Sequence, residues 1–169
     1  MDVILKQIDR ALDRGFHYLA VVSALTLPDI CAALESPDGR TTRERYKAWY
    51  NSWVKNKYPM ISDDDFYRLR CGVVHQGILG PQGMQYSRIV FTLPGHARMH
   101  ACISRDNAGV IESALQLDAI SFCRDLMESV NEWYAAKQND ANVQKNLPRL
   151  LQFRPNGLPP HFVGLPVIA

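Results

Sequence analysis

The sequence predicts a mainly α-helical fold: a bundle of about four to five helices with a small antiparallel β insertion and a proline-rich C-terminal tail. Three observations predict it. Apolar residues recur at helical spacing in several segments of the 169-residue chain, β-favouring residues concentrate near 86–117, and five of the ten prolines follow residue 147. We therefore expect one helical domain over 1–138. The tail, 139–169, is too apolar for a free linker and is expected to pack on the domain or on a partner subunit.

The first part of the chain is expected to be helical. Apolar residues recur every three to four positions from Ile4 to about Leu25, with charged residues mostly on the other side. Pro28 is expected to end this helix, because proline lacks the backbone donor and clashes with the preceding turn. A short second helix is expected over Asp29–Glu35, followed by a turn over 36–39 that holds Pro and Gly.

A third helix is predicted to begin at Thr41, which has Glu44 three residues later at the spacing of a capping box. Four aromatic side chains follow at helical spacing and give the helix one aromatic face: Tyr46, Trp49, Tyr50 and Trp53. Such a face is typical of a core or a dimer interface. Stacking on nucleic-acid bases is the alternative that the residue types also allow.

A fourth helix is predicted from the cap at Ser62 to Gln76, with Gly77 as its stop. The acidic residues Asp63–Asp65 lie at the positive end of the helix dipole, where they favour helix formation. A metal site is the alternative for this triplet. Capping is the interpretation that the position favours.

The β insertion is predicted to hold three segments, Tyr86–Leu93, Met99–Ser104 and Val110–Leu117, as an antiparallel hairpin or a three-stranded meander. A long closing helix is predicted over Asp118–Gln138, because its apolar residues alternate by four and three.

The sequence lacks the motifs of several familiar enzyme classes. It has no Walker loop, His-Glu-x-x-His motif, dinucleotide-binding glycine fingerprint or Gly-x-Ser-x-Gly elbow. The glycine-containing loop 77–83 lacks the Lys-Ser/Thr of a phosphate cradle. His96 and His100 would share a face, as zinc ligands often do, if the segment were helical. In the predicted strand His100 shares its face with Cys102 instead, and an ordinary loop and strand edge is the favoured interpretation. We expect no bound metal and no cofactor.

Composition and the N-terminal residues predict a soluble, cytoplasmic protein with no membrane association. The four cysteines have no Cys-x-x-Cys spacing and are expected to be free, buried thiols in a reducing cytoplasm. The apolar run 16–27 is too short for a membrane span, and no signal-peptide pattern precedes it. The net charge of +2 is too small to indicate nucleic-acid binding from bulk electrostatics, although it leaves room for a local basic site.

The end of the fourth predicted helix carries the functional hypothesis. It reads Phe-Tyr-Arg-Leu-Arg-Cys-Gly-Val-Val-His-Gln-Gly, with Arg70 and His75 separated by four residues. This segment resembles the HEPN family, the higher eukaryote and prokaryote nucleotide-binding domains, whose signature is Arg, four to six residues, then His at a helix end. The resemblance covers about residues 1–138. The family often has a polar residue, commonly Asn, directly after the Arg, where this chain has Cys71.

The resemblance implies a metal-independent endoribonuclease that acts as a homodimer in bacterial defence or a toxin–antitoxin system, with RNA as substrate and an antitoxin or other protein as partner. His75 would be the general acid/base, because histidine exchanges protons near neutral pH, and Arg70 would stabilise the phosphorane. Arg68, Tyr67 and Gln76 are the expected substrate-binding residues, and Arg68 would position phosphate.

Two further features of the sequence bear on this Arg/His pattern: the positions of the arginines around the helix, and other Arg/His pairs at a permitted spacing. In an α-helix Arg68 would lie almost under His75, while Arg70 would lie about 140° away and would have to reach around the helix or meet a second subunit. Arg10/His17 and Arg154/His161 have the same permitted spacing. The alternative function is a non-catalytic helical dimer or adaptor, in which His75 interacts with the helix dipole and Arg68 pairs with Asp64.

Overall fold

The computed structural model of the chain describes residues 1–80, 82–95, 99–105 and 113–169. Among them are six α-helices, one π-helical turn and a small three-stranded sheet. The prediction of a mainly α fold with a small β insertion is confirmed. The core lies between the helices and one face of the sheet.

The N-terminal region forms two helices where one had been predicted. Helix α1 spans Asp2–Asp13 and helix α2 spans His17–Glu35. The chain turns between them at Gly15, whose φ of +75° is in the left-handed region that favours glycine. The predicted continuous helix to Leu25 is therefore wrong, and its charged, periodic first part ends at Asp13.

Pro28 lies inside α2, which contradicts the predicted break. The residues of α2 that flank Pro28 are buried on both sides, so packing of the apolar helix outweighs the roughly 3 kcal/mol that an interior proline costs. The Tyr46 hydroxyl donates to the Leu25 carbonyl, one turn before Pro28, over 3.4 Å. Because α2 continues past Pro28, Asp29 belongs to this helix.

Helix α3 spans Arg43–Trp53 and begins two residues after the predicted start at Thr41, because the Thr42 hydroxyl accepts the cap hydrogen bond from the Arg45 backbone N–H. Three of the four residues of the predicted aromatic face are buried, and Trp53 is half-buried. Tyr50 stacks on Phe66 with 4.3 Å between ring centres. The core interpretation of this face is confirmed.

Helix α4 spans Asp63–Cys71 and a π-helical turn, Gly72–Gln76, continues it. The Ser62 hydroxyl accepts from the backbone N–H of Asp65, which confirms the predicted cap. Gly77 ends the helix with φ +68°, as predicted.

Three strands form the insertion: β1 (Arg88–Thr92), β2 (Cys102–Arg105) and β3 (Ser113–Asp118). Strand β3 lies between the other two, antiparallel to β2 and parallel to β1. This order replaces the predicted meander, because β3 carries the two fully buried leucines, Leu115 and Leu117, and takes the central position. Parts of the predicted strand segments, at 110–112, lie outside the described residues.

Helix α5 spans Ala119–Lys137, close to the predicted Asp118–Gln138, and the Asp118 carboxylate caps it. A short helix that was not predicted, α6 (Ala141–Asn146), then packs on the end of α2. The Asn146 amide donates to the carbonyls of Leu34 and Ser36, which fixes the start of the tail on the helical domain.

The end of the tail forms two small antiparallel ladders, in which β4 (Phe153–Arg154) pairs with β7 (Val167–Ile168) and β5 (Gly157–Leu158) pairs with β6 (Phe162–Val163). Most of their apolar side chains are exposed.

Helix α2 is long and apolar enough to cross a membrane by length and composition alone. Half of its most apolar stretch is buried inside the fold. A core helix of a soluble protein has the same properties, so this helix is compatible with a soluble protein.

Candidate active site

Two of the predicted site residues meet at the C-terminal end of α4, together with an aspartate from α2. Nη1 of Arg70 lies 2.8 Å from Nε2 of His75. Nε of the same guanidinium lies 2.6 Å from Oδ2 of Asp29. The three side chains form a chain of hydrogen bonds, Asp29–Arg70–His75, which we call the RH cluster.

The π-helical turn explains why Arg70 reaches His75 within one chain. The Gly77 N–H donates to the Gly72 carbonyl, five residues earlier, in place of the four-residue step of an α-helix. The wider turn brings residues five apart onto neighbouring positions. The predicted separation of about 140° between Arg70 and His75 is therefore wrong, because it assumed α-helical geometry throughout.

The hydrogen bond between Arg70 and His75 also determines which nitrogen of the imidazole accepts. A guanidinium has donors and no acceptor, so Nε2 of His75 accepts this hydrogen bond and carries no proton there. Arg70 therefore engages the only acceptor nitrogen that the ring has in this tautomer. His75 is exposed to solvent, whereas the side chains of Arg70 and Asp29 are only 16% and 13% exposed.

The buried pair has shifted pKa values. Burial raises the pKa of Asp29, and the positive charge of Arg70 offsets this only in part. Burial disfavours the charge on Arg70, but the Asp29 carboxylate outweighs it, and the pKa of Arg70 is raised. Arg70 therefore remains a fixed cation beside His75.

Three side chains lie next to the RH cluster: the predicted Tyr67 and Gln76, and the neighbouring Cys71. The Cys71 thiol lies 3.7 Å from Nη1 of Arg70. Tyr67 is half-buried one turn before Cys71, and burial together with its interaction with the thiol raises the pKa of its phenol. Gln76 is exposed directly after His75. These positions leave Tyr67 and Gln76 at the rim of the cluster.

Arg68 lies apart from the RH cluster. Its Nη1 donates to the Gln82 carbonyl over 3.0 Å, and the guanidinium packs against Gly83. The predicted pair between Arg68 and Asp64 does not form, because Asp64 binds Arg43 and Lys47 of α3 instead. In the structure as described, no hydrogen bond joins Arg68 to His75.

The candidate metal ligands of the sequence have other partners. Asp63 and Asp64 pair with cations of α3, and Asp65 accepts from the Gln85 backbone N–H. His100 accepts from the Asp118 N–H and contacts the Tyr58 hydroxyl, while His96 lies outside the described residues. Among the residues that the structure describes, no group of three or more His, Cys, Asp or Glu side chains could hold a metal ion.

The four cysteines form no disulfides: Cys31 and Cys123 are buried, and Cys71 and Cys102 are half-buried. The prediction of free thiols is confirmed, whereas the prediction that they are buried is wrong for Cys71 and Cys102.

Comparison with known proteins gives no relative. The sequence matches no protein-family model, and neither the curated proteins nor the solved structures contain a match. The resemblance to HEPN domains therefore stays a prediction that rests on the residues of this chain.

Asp29 is the member of the cluster that the sequence analysis did not single out. A signal was present, because Asp29 is the only acidic residue between Asp13 and Glu35, within an otherwise apolar segment. A carboxylate in an apolar helix needs a partner when it is buried. The partner itself, 41 residues further along, could not be read from the sequence.

Proposed function

We propose that this chain is a HEPN-like endoribonuclease that cleaves RNA by attack of the 2′-OH on the adjacent phosphorus, without a metal ion. One observation carries the proposal: an exposed imidazole lies 2.8 Å from a guanidinium that a buried carboxylate holds in place. A proton acceptor and a fixed cation at one solvent-exposed point are the two groups that this reaction needs.

The proposed reaction uses the two groups in sequence. When RNA binds, Nη1 of Arg70 turns from Nε2 of His75 to the scissile phosphate, and the freed Nε2 accepts the proton of the 2′-OH as its oxygen bonds to phosphorus. Arg70 then stabilises the negative charge of the phosphorane. The bond from phosphorus to the 5′-oxygen then breaks, and the imidazolium returns the proton to that oxygen. The products are a 2′,3′-cyclic phosphate and a 5′-hydroxyl. Asp29 occupies Nε of Arg70 and leaves the terminal nitrogens for His75 and phosphate.

The rim residues keep their predicted roles in this proposal. Tyr67 and Gln76 flank the cluster and contact substrate. Arg68 positions phosphate from the neighbouring loop, to which its guanidinium is bound.

The proposal is tested by cleavage of single-stranded RNA in the presence of EDTA. We expect cleavage with products that end in a 2′,3′-cyclic phosphate, as measured by mass spectrometry. The same oligonucleotide with 2′-deoxy sugars should remain intact, because its internal nucleophile is missing. Cleavage of the deoxy strand, or no cleavage of the RNA, would contradict the proposal.

The alternative function is a non-catalytic helical dimer or adaptor with a structural His75. The observation that favours it is the pairing of Arg70 with Asp29, which joins α4 to α2 and neutralises the cation in the resting protein. Both functions need the same fold. They differ in whether removal of His75 abolishes cleavage.

We also propose that the protein is a homodimer whose interface lies beside the RH cluster. An apolar groove of about 400 Å³ lies between the α1–α2 turn and the residues that follow Gly77. Tyr18, Ile78, Leu79 and Leu93 line it and are 44–65% exposed. Exposed apolar surfaces of this kind typically mark association sites, and a second copy of this chain is the partner that the HEPN resemblance implies.

Leu79→Asp is expected to convert the dimer to a monomer, because it would place an unpaired charge in the apolar interface. Light scattering coupled to size-exclusion chromatography measures the mass. Val3→Asp is the matched control, since Val3 is also about half exposed but lies at the start of α1, outside the groove. An unchanged mass for Leu79→Asp, or a monomeric native protein, would contradict the dimer proposal.

The resemblance further suggests a cytoplasmic protein of bacterial defence or of a toxin–antitoxin pair. Under this proposal an antitoxin or other partner protein would restrain the RNA-cleaving site.

A further inference from the structure

A second groove adjoins the RH cluster on the opposite flank of Asp29. It lies between the C-terminal half of α2, the turn before α3 and the end of α6, and its volume is about 540 Å³. Asp29 lines this groove and also binds Arg70, so the groove and the candidate active site share this residue. Its volume is in the range of sites that hold small organic ligands.

Two arginines contribute positive charge to this groove. Arg40 lies in the turn before α3, and Arg149 follows α6. Both are exposed. The Arg149 guanidinium lies directly over Gly39, where an added Cβ would be 2.5 Å from Nη1, so the glycine permits this close approach.

Within the part of the chain that the structure describes, these two guanidinium groups have no acidic partner. Across residues 1–80, 82–95, 99–105 and 113–169, no carboxylate forms an ion pair with Arg40 or Arg149, whereas Arg43, Arg45 and Arg70 are all paired. Arg149 donates only to the amide oxygen of Asn146, over 3.3 Å. The groove therefore holds two cations whose charge remains available to a ligand.

The rest of the lining is largely apolar, from Ile30, Ala33 and Leu150. Guanidinium groups match the geometry of phosphate, and apolar surface suits the faces of ribose and base. A single polynucleotide strand presents these two chemistries in alternation. A duplex, with its bases paired inside, would bring only phosphates to so small a groove.

We infer that this groove binds the RNA strand next to the bond that is cleaved, with Arg40 and Arg149 holding flanking phosphates. The inference rests on the proposed function and extends it, because it makes single-stranded RNA the substrate class. It also gives the first part of the tail a role, since α6 and its connection to Arg149 form one wall of the groove.

The test measures binding of a short single-stranded 2′-O-methyl RNA, which cannot be cleaved, by fluorescence anisotropy over a range of salt concentrations. We expect Arg40→Gln/Arg149→Gln to bind about tenfold more weakly at low salt. The slope of log K against log salt should fall in magnitude by about 1.4, because two phosphate contacts are lost.

The matched control is Arg10→Gln/Arg124→Gln. Arg10 on α1 and Arg124 on α5 are exposed and lie outside the groove, so this variant has the same net charge. Its affinity and salt slope should remain close to those of the native protein. Equal losses in the two double variants would mean that net charge, and not the groove, governs binding, and would overturn the inference.

The experiments distinguish an incorrect inference about the groove from an incorrect proposed function. If the groove variant binds RNA like the native protein while the native protein cleaves RNA through His75, RNA does not bind in the groove, and the proposed nuclease function is unaffected. If the native protein neither binds the 2′-O-methyl RNA nor cleaves RNA, both are wrong. Circular dichroism of each variant confirms that the fold is intact.

Discussion

His75→Ala is expected to abolish RNA cleavage and to leave the fold intact. The imidazole is the proton acceptor of the proposed reaction, and loss of a general acid/base lowers a rate by about 10²–10⁴-fold. His75 is exposed and follows the last buried residue of its turn, so its removal leaves no cavity. The rate of cleavage of single-stranded RNA in EDTA measures the effect, and the thermal unfolding curve measures the fold.

The chain offers a matched control for this variant. His161 is also exposed, and it follows Arg154 at a spacing that the HEPN signature permits, but it lies in the tail. His161→Ala should cleave RNA at the native rate. Equal rates for the native protein and His75→Ala would assign His75 a structural role and would favour the adaptor function.

Asp29→Ala is expected to lower both stability and cleavage. The substitution leaves the largely buried Arg70 without its counter-charge, which we expect to cost about 2 kcal/mol, less than for a fully buried pair because both side chains keep some exposure. It also removes the hydrogen bond that orients the guanidinium toward His75. We expect a fall in cleavage of about 10²-fold, beyond any loss of folded protein.

Two further variants separate orientation from charge. Asp29→Asn keeps an oxygen that can accept from Nε of Arg70 and should recover part of the activity. Asp64→Ala removes a carboxylate of α4 whose ion pairs with α3 are exposed, and it should leave both the stability and the rate of cleavage close to those of the native protein. If Asp29→Ala cleaves at the native rate, Asp29 does not position Arg70.

The stability difference between native protein and Asp29→Ala should depend on pH in a defined direction. Burial raises the pKa of Asp29 in the folded state, so the folded protein binds the proton more readily than the unfolded chain. The stabilisation from this group is fully present below the ordinary carboxyl pKa and is lost as pH rises through the raised value. Urea unfolding should therefore show a larger deficit of the variant at mildly acidic pH than at neutral pH.

Much of the helical architecture was predictable because local chemistry decides where helices begin and end. Ser62 accepts from the first turn of α4, and Gly77 adopts the left-handed conformation that ends the π-helical turn. Asp118 caps α5 at the predicted residue. Each of these depends on one side chain or one dihedral angle, so the residue type alone is informative.

The predictions of the fold that were wrong concern places where local preferences compete with contacts between distant residues. Pro28 was expected to end a helix, but burial of the apolar α2 outweighs the local cost. The position of β3 between β1 and β2 follows from which strand buries its leucines most completely. Neither result depends on neighbouring residues in the sequence.

The sequence by itself determined the residue types of the candidate site and the helix end that holds them: an arginine and a histidine five positions apart, before a glycine that stops the helix. Only the tertiary structure decided that Arg70 and His75 touch. An α-turn and a π-turn differ by one step in hydrogen-bond register, a small energy that the packing of the surrounding helices outweighs. The same packing brings Asp29 to Arg70 from another helix, because a buried cation is stable only where the fold supplies its counter-charge.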